Sequence, residues 1–374
     1  HPSLTLPFVG PAPIRPMRTM EPYAPCWCQS GKKWKFCHRD REKQPQQKPH
    51  EIVTKLRDRF VRGYCSHPEA SAESCGERIV RAHTVQRRGG LAAIAENGHV
   101  ISAKAAAEDI FKNQGEFIPR EVGVGSASTF PGFCNVHDSE MFRPVETGEF
   151  ALTAATAFLL SFRALAYELL LKRLSLATMD READSGAPFE IQCAIQNFMH
   201  NHIAGLKRGV ADMERWKSAY DTIYLTKDYS SYRFYAVAFK ELLPMVACGS
   251  FHPEFDFEGN PLQRIARGKD HQHIAANVTA IQGRTIAALG WNEGEDGPAD
   301  KFGRSFAEVP NENKGEAARR LLFEHLENIY FTPSWWHGLA DGLRKAAIDR
   351  IRSGLPSGPE RQSSCLIDDG FNYV

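Results

Sequence analysis

Between Tyr64 and Glu146 the chain reads Tyr64-Cys65, then Cys75, then Ile79-Val80-Arg81-Ala82-His83-Thr84-Val85-Gln86, then Asn97-Gly98-His99-Val100, and finally Phe133-Cys134-Asn135-Val136-His137-Asp138. Cysteine and histidine are the residue types that hold zinc. Nine residues, Pro68 among them, separate Cys65 from Cys75, which describes a loop returning on itself. Cys134-x-x-His137 is a knuckle followed by an acidic helix start. Two ligands on a loop and two at a helix start are expected to close one structural zinc site of Cys65, Cys75, Cys134 and His137. Between the pairs, Arg78 to Ala82 has strand character and ends on His83 before Gly89-Gly90. A second short strand, His99 to Ser102, follows the Asn97-Gly98 turn signal.

Upstream lies a tighter ligand set. Pro25-Cys26-Trp27-Cys28-Gln29-Ser30-Gly31-Lys32-Lys33-Trp34-Lys35-Phe36-Cys37-His38 has the form Cys-x-Cys-x-Ser-Gly-x5-Cys-His. Its four soft or borderline donors suit one tetrahedral zinc with no open position, and Ser30-Gly31 supplies a tight turn between the halves. Before it, residues 1–22 hold six prolines and read as an extended lead-in. After it, residues 39–50 have linker composition, and Ile52, Val53, Leu56 and Phe60 mark a helix from Glu51 to about Arg62.

The stretch from Pro25 to Asp40 closely resembles the SEC-C motif, the zinc-binding tail of the bacterial translocation motor SecA, also found as an appendage on unrelated bacterial proteins. The resemblance implies that Cys26, Cys28, Cys37 and His38 are zinc ligands and that the module docks to a partner rather than catalyses. Trp27 and Gln29 stand where the motif usually has Pro and Gly. The order of the central stretch (strand, His83, loop with Asn, strand, zinc-anchored helix) resembles the HNH family of His-Me finger nucleases on a treble-clef zinc fold. On that resemblance His83 is the base that deprotonates a water, Asn97 the loop residue that orients it (His99 being the alternative), and Asp138 the helix residue that helps hold one Mg2+ or Mn2+ ion. The match departs from the family at Ala82, where an acidic ligand is common; at Asp138, where a His is common; and in the roughly thirty residues between hairpin and knuckle. A treble clef that binds without cutting is the rival reading.

Downstream, residues 150–174 are apolar on most sides, with Leu152, Ala155, Phe158, Leu159, Phe162, Leu165, Ala166, Leu169 and Leu170, and predict a buried helix. Residues 180–188 break it, and residues 189–224 predict a second helix packed antiparallel on the first. His202 on that helix reads as a packed edge residue. Tyr232 to Phe239, Leu243 to Cys248 and His273 to Leu289 read as strands of a small β-rich unit. Closing helices are expected from Gly315 to Phe331 and from Ser334 to Ile351, Ser334 capping the second. Paired Trp335 and Trp336 read as core packing rather than a stacking platform.

The 374 residues exceed one ordinary core. The expected fold is α+β and multidomain: lead-in 1–24, SEC-C knuckle 25–40, linker 41–50, treble-clef HNH-like domain 51–148, helical hairpin 149–227, an α+β C-terminal domain 228–352 and a polar tail 353–374. No stretch reads as a membrane span, because Arg163, Glu168 and Lys172 interrupt the most apolar one; no charged leader precedes the short apolar run at Leu4, and a cytoplasmic location is expected. Cysteines that stay reduced there bind metal more often than they pair. Residues 1–62 carry 13 Lys and Arg against 5 Asp and Glu, a balance of +8, and the rest 33 against 40, a balance of −7. A basic arm on a mildly acidic body fits an anionic partner. The composite expectation is a two-zinc protein, either an HNH-like metal-dependent nuclease acting on nucleic acid, as in bacterial defence effectors, or a non-catalytic adaptor that binds a protein or nucleic acid through its SEC-C motif.

Overall fold

The computed structural model describes residues 12–46, 54, 58, 62–104, 117–179, 182–264, 270–292 and 296–352. Most of the helix expected over residues 51–62, and the tail from residue 353 with Cys365, lie outside these. In chain order the elements are β1 (Ile79–His83), β2 (His99–Ser102), β3 (Arg120–Gly123), β4 (Thr129–Cys134), α1 (Asn135–Glu146), α2 (Ala154–Thr178), α3 (Phe189–Thr226), β5 (Tyr232–Ala238), β6 (Met245–Phe251), β7 (Ile274–Ile281), β8 (Arg284–Asn292), α4 (Pro298–Glu308), α5 (Lys314–His325), β9 (Asn328–Phe331), α6 (Pro333–Gly338) and α7 (Asp341–Arg352). The protein is α+β, with all described strand pairs antiparallel. Two compact units form: His1–Val61 with Leu169–Glu214 and Ala266–Asp270, and Arg62–Glu168 with Arg215–Ile265 and His271–Val374.

The larger unit is built on a seven-stranded sheet in the order β3-β2-β9-β6-β7-β8-β5. β7 is buried along its whole length, as a central strand of continuous β-formers should be. It joins β8 through Gln282-Gly283, both at positive φ (51° and 72°), the two-residue turn whose twist matches a hairpin. One face packs on α4 and α5, where Ala299, Phe302 and Phe306 recur at helical spacing among Leu321, Leu322 and Trp336. The other carries Val85, Leu91, Val100, Ala127 and Ala164. A second, two-stranded sheet pairs β1 with β4 and places His83 opposite Thr129 and Ile79 opposite Cys134.

This pairing corrects the expected hairpin. β2 is not the partner of β1: it lies between β3 and β9 in the large sheet, and β4 takes the expected place beside β1. Residues 328–331, expected as the end of the first closing helix, form strand β9, and the second, expected over residues 334–351, is two helices, α6 and α7. Ser334 does not cap it. Thr332 stands at the N-cap, and the amide and hydroxyl of Ser334 both bond to Glu96. Trp336 is buried against Phe331, ring centroids 4.8 Å apart, so its role is core packing.

α2 and α3 run antiparallel as expected: Phe158 packs on Tyr220 in the larger unit, and Arg173 pairs with Glu214 in the smaller. By length and composition α2 could cross a membrane, but 72 % of its apolar window is buried in the structure, the position of a core helix. In the smaller unit Ile14, Trp27 and Trp34 pack with Met20, Phe189 and Cys193 around the first cysteine cluster.

Candidate metal centres and the His83 edge

The first cluster is assembled by two local devices. Gln29 (φ 56°) and Gly31 (φ 82°) turn the chain so that Cys26 N donates to Lys32 O at 2.9 Å. A 3-10 turn, Trp34–Phe36, then lets the amides of Cys37 and His38 converge on Trp34 O at 3.0 and 3.1 Å. The result places Cys26 Sγ and Cys37 Sγ each 3.2 Å from His38 Nδ1, and Cys28 Sγ 3.6 Å from Cys37 Sγ. All four ligand atoms lie within 4.8 Å of one another and all four residues are buried. Hydrogen bonds from Cys26 pull the Cys28 and Cys37 thiols down toward thiolate. A tetrahedral zinc fits this donor set.

On the far side of the imidazole, His38 Nε2 lies 2.9 Å from Asp184 Oδ2. Gln196 Nε2 donates to the same oxygen at 2.8 Å, and Arg41 Nε stands 3.6 Å from the other. Burial pulls the His38 pKa down, but Asp184 and the thiols of Cys28 and Cys37 outweigh it and raise it to about 11. Asp184 is wholly buried, in the turn that breaks α2 from α3. Gly186 in that turn (φ 74°) would place a Cβ 2.5 Å from Gln44 O, so the segment just after the motif and the turn meet backbone to backbone. Neither Asp184 nor Gln196 was legible as a metal-site residue; the only sequence signal was a helix break.

The second cluster brings Cys65, Cys75, Cys134 and His137 within the same 4.8 Å. The loop carrying Cys65 is strapped to β4 by Tyr64 N donating to Pro131 O at 3.1 Å and Ser66 N to Gly132 O at 2.8 Å. Cys134 belongs to this cluster and is also the N-cap of α1: its sulfur accepts from the amides of His137 (3.4 Å) and Gly76 (3.3 Å). Burial acts to raise the Cys134 thiol, but these amides overcome it and the pKa falls; at Cys65 burial wins and lifts it to about 11. His67 stacks on His137, centroids 3.9 Å apart and planes 2° from parallel, so the ligand imidazole is held flat. This cluster, too, could hold a zinc ion.

Above that staple lies the third constellation. His83 ends β1, half-buried, with Nε2 3.1 Å from Val124 O. A carbonyl only accepts, so Nε2 carries the proton and Nδ1 keeps its lone pair. Burial lowers the His83 pKa, and the cations Arg163 and Arg87 add to the effect against Glu146. Asp138, in the first turn of α1, has a buried Oδ1 without a hydrogen-bond partner among the described residues, and burial raises its pKa. Arg163 of α2 donates to Glu146 at the end of α1 at 2.5 Å. Asn97 occupies an exposed turn at φ 49° beside Gly98 at 75°. Its link to His83 is by backbone: Val124 N donates to Gly98 O at 3.0 Å, and Val124 O accepts from His83. His99 is exposed and bonds to Asn97 O. Glu146 and Arg163 escaped sequence reading because Arg163 sits inside an apolar helix and looked like an interruption of it.

A family model of the SEC-C motif matches residues 24–40. The chain therefore carries a SEC-C motif, and its Cys26, Cys28, Cys37 and His38 are the cluster described above. No curated protein and no solved structure matches the chain.

Proposed function

We propose that this zinc-binding protein cuts nucleic acid through an HNH-like site at His83, with its SEC-C motif serving as a docking module. The observation that carries the reading is His83 itself: it ends a strand whose antiparallel partner runs into a Cys/His-stapled helix, and its Nε2–H is fixed on the Val124 carbonyl. That leaves Nδ1 to accept a proton from water, and burial keeps the imidazole neutral near pH 7, as a base must be. Asp138 offers the unpartnered carboxylate oxygen that a hard cation such as Mg2+ or Mn2+ takes. Such an ion stabilises charge on a phosphate and its leaving oxygen. Exposed Arg81, Arg87 and Arg88 flank His83 in the chain and suit a polyanion.

The adaptor reading has its own support. On the SEC-C motif, Tyr23 and Phe36 are 54 % and 67 % exposed, with Lys35 Nζ 5.1 and 5.6 Å from their rings, an aromatic and basic surface suited to a partner. One experiment separates the two. Plasmid DNA and total RNA are incubated with the protein and with His83→Ala in Mg2+ or Mn2+; cleavage by the first alone supports the nuclease, and identical traces remove it.

A further inference from the structure

Arg163 is buried in the core helix α2, its side chain 1 % exposed, yet the fold uses one corner of its guanidinium. Nη2 donates to Glu146 Oε1, and the guanidinium carbon lies 3.9 Å from the centre of the Phe142 ring. Nε and Nη1 are buried and have no hydrogen-bond partner among the described residues. A buried donor on a charged group left unmade forfeits its hydration without return, and natural folds retain few of them. The same edge holds the complementary orphan, Asp138 Oδ1, and the charge of Arg163 is felt at both Asp138 and His83. Glu146, 38 % exposed on its side chain, is the member of the ion pair that reaches solvent.

We propose that Arg163 is the phosphate-binding residue of the His83 edge, receiving a phosphodiester oxyanion in the place that the Glu146 carboxylate now holds. This rests on the nuclease reading for the identity of the anion. A planar fork of N–H donors matches two oxygens of one phosphate, which a single carboxylate oxygen on Nη2 does not satisfy. Glu146 is then a resident competitor that swings out toward solvent. Donors on Arg163 and an acceptor on Asp138 suit a phosphate that arrives with a divalent counter-cation; an anion or a cation alone would satisfy one orphan and leave the other.

The test uses the full chain, inorganic phosphate against chloride at constant ionic strength and constant Mg2+, and thermal unfolding as the readout. Phosphate should raise the midpoint of the wild-type protein above the chloride control. Arg163→Lys, which keeps charge and loses the fork, should weaken the apparent phosphate affinity roughly tenfold. Glu146→Gln, which removes the competing charge, should tighten it. A wild-type midpoint indifferent to phosphate, or two variants that shift the affinity in the same direction or not at all, overturns the proposal. Should Arg163→Lys fail to fold, Glu146→Gln decides: tighter binding supports the assignment, and unchanged or weaker binding refutes it. Cleavage plays no part in this measurement, so loss of the nuclease reading through His83→Ala is seen separately.

Discussion

Asp184 Oδ2 stands 2.9 Å from His38 Nε2, at the opposite end of the imidazole from the three cysteine sulfurs. The carboxylate fixes which ring nitrogen faces the cysteines and would strengthen it as a donor to a metal there, and Gln196 and Arg41 hold the carboxylate in turn. The SEC-C motif is thus wired into the α2–α3 turn through its own ligand. Asp184→Asn should keep the shape, remove the charge and weaken zinc retention at this cluster by about 10- to 100-fold. Zinc release to a chelator, followed by a metal-sensitive dye, should then show one zinc leaving faster and the other unchanged; equal release from both proteins would mean that Asp184 only packs.

Cys134 belongs to a cluster that could hold a metal and its sulfur also caps α1; a serine can take over the cap but not the soft metal-binding donor. Metal-binding energy at a structural site is folding energy. Wild-type protein should contain about two zinc atoms and Cys134→Ser about one, and the variant should lose the cooperative unfolding of its larger unit. Cys37→Ser should also lose one zinc. Elemental analysis beside denaturant melts checks this, and two zincs retained in Cys134→Ser would remove the second site.

The first ligand set is legible from spacing alone; in the second each pair is legible within a loop or a helical turn, but Cys75 and His137 lie 62 residues apart and the fold brings the pairs together. The partner of β1 was not legible. Pro131 and Gly132 disguise Thr129 to Cys134 as a loop, although all six residues are buried, whereas Asn97-Gly98 is a strong hairpin signal. That turn does form, bridging Glu96 to His99, but the strand after it pairs with β3 and β9. β9 was read as helix because Asn328 to Phe331 continues an apolar run; its strand state comes from β2 and β6 on either side. α4 went unseen because acidic and basic residues mask its apolar Ala299, Phe302 and Phe306. Asp184 lies 146 residues from His38, a distance over which no local pattern speaks.

His273 gives the fold a pH dependence with a definite sign. It is 2 % exposed, stacked on Trp216 at 4.1 Å, and burial, with His252 adding to it, pushes its pKa down to about 3. Above the unfolded value of about 6.5 both states are neutral and nothing changes. Below it the unfolded chain takes up a proton that the native state refuses until about pH 3, so stability falls as pH drops through that window. The slope is about 1.4 kcal/mol per pH unit from this one group. Urea melts at pH 7.0 and 5.5 should show His273→Phe losing about 1.4 kcal/mol less than wild type over that step; equal losses would mean that the imidazole is hydrated or protonated in the native state.

Asn328, on β9 of the large sheet, bonds to Thr84 and Ser128, the residues that adjoin the two strands of the small sheet. It is wholly buried, and its Nδ2 is 2.7 Å from Thr84 Oγ1, 3.1 Å from Ser128 Oγ and 3.1 Å from Cys248 Sγ. Its Oδ1 accepts from Tyr330 OH at 2.9 Å, and the Tyr330 hydroxyl oxygen in turn accepts from Ser128 N at 2.7 Å. Thr84 follows His83 directly and Ser128 precedes β4, so one side chain on β9 sets the separation of the strands that carry the site. Asn328→Ala removes both ends of the amide and leaves buried hydroxyls without it. The cost should be about 3 kcal/mol in denaturant unfolding, with zinc content unchanged because neither cluster touches the network. Amide hydrogen exchange should quicken at Thr84, whose N–H bonds to Ser128 O at 2.8 Å, and hold steady at Cys26, whose N–H lies in the SEC-C turn. A variant as stable as wild type would show that the network orders these strands without adding net stability.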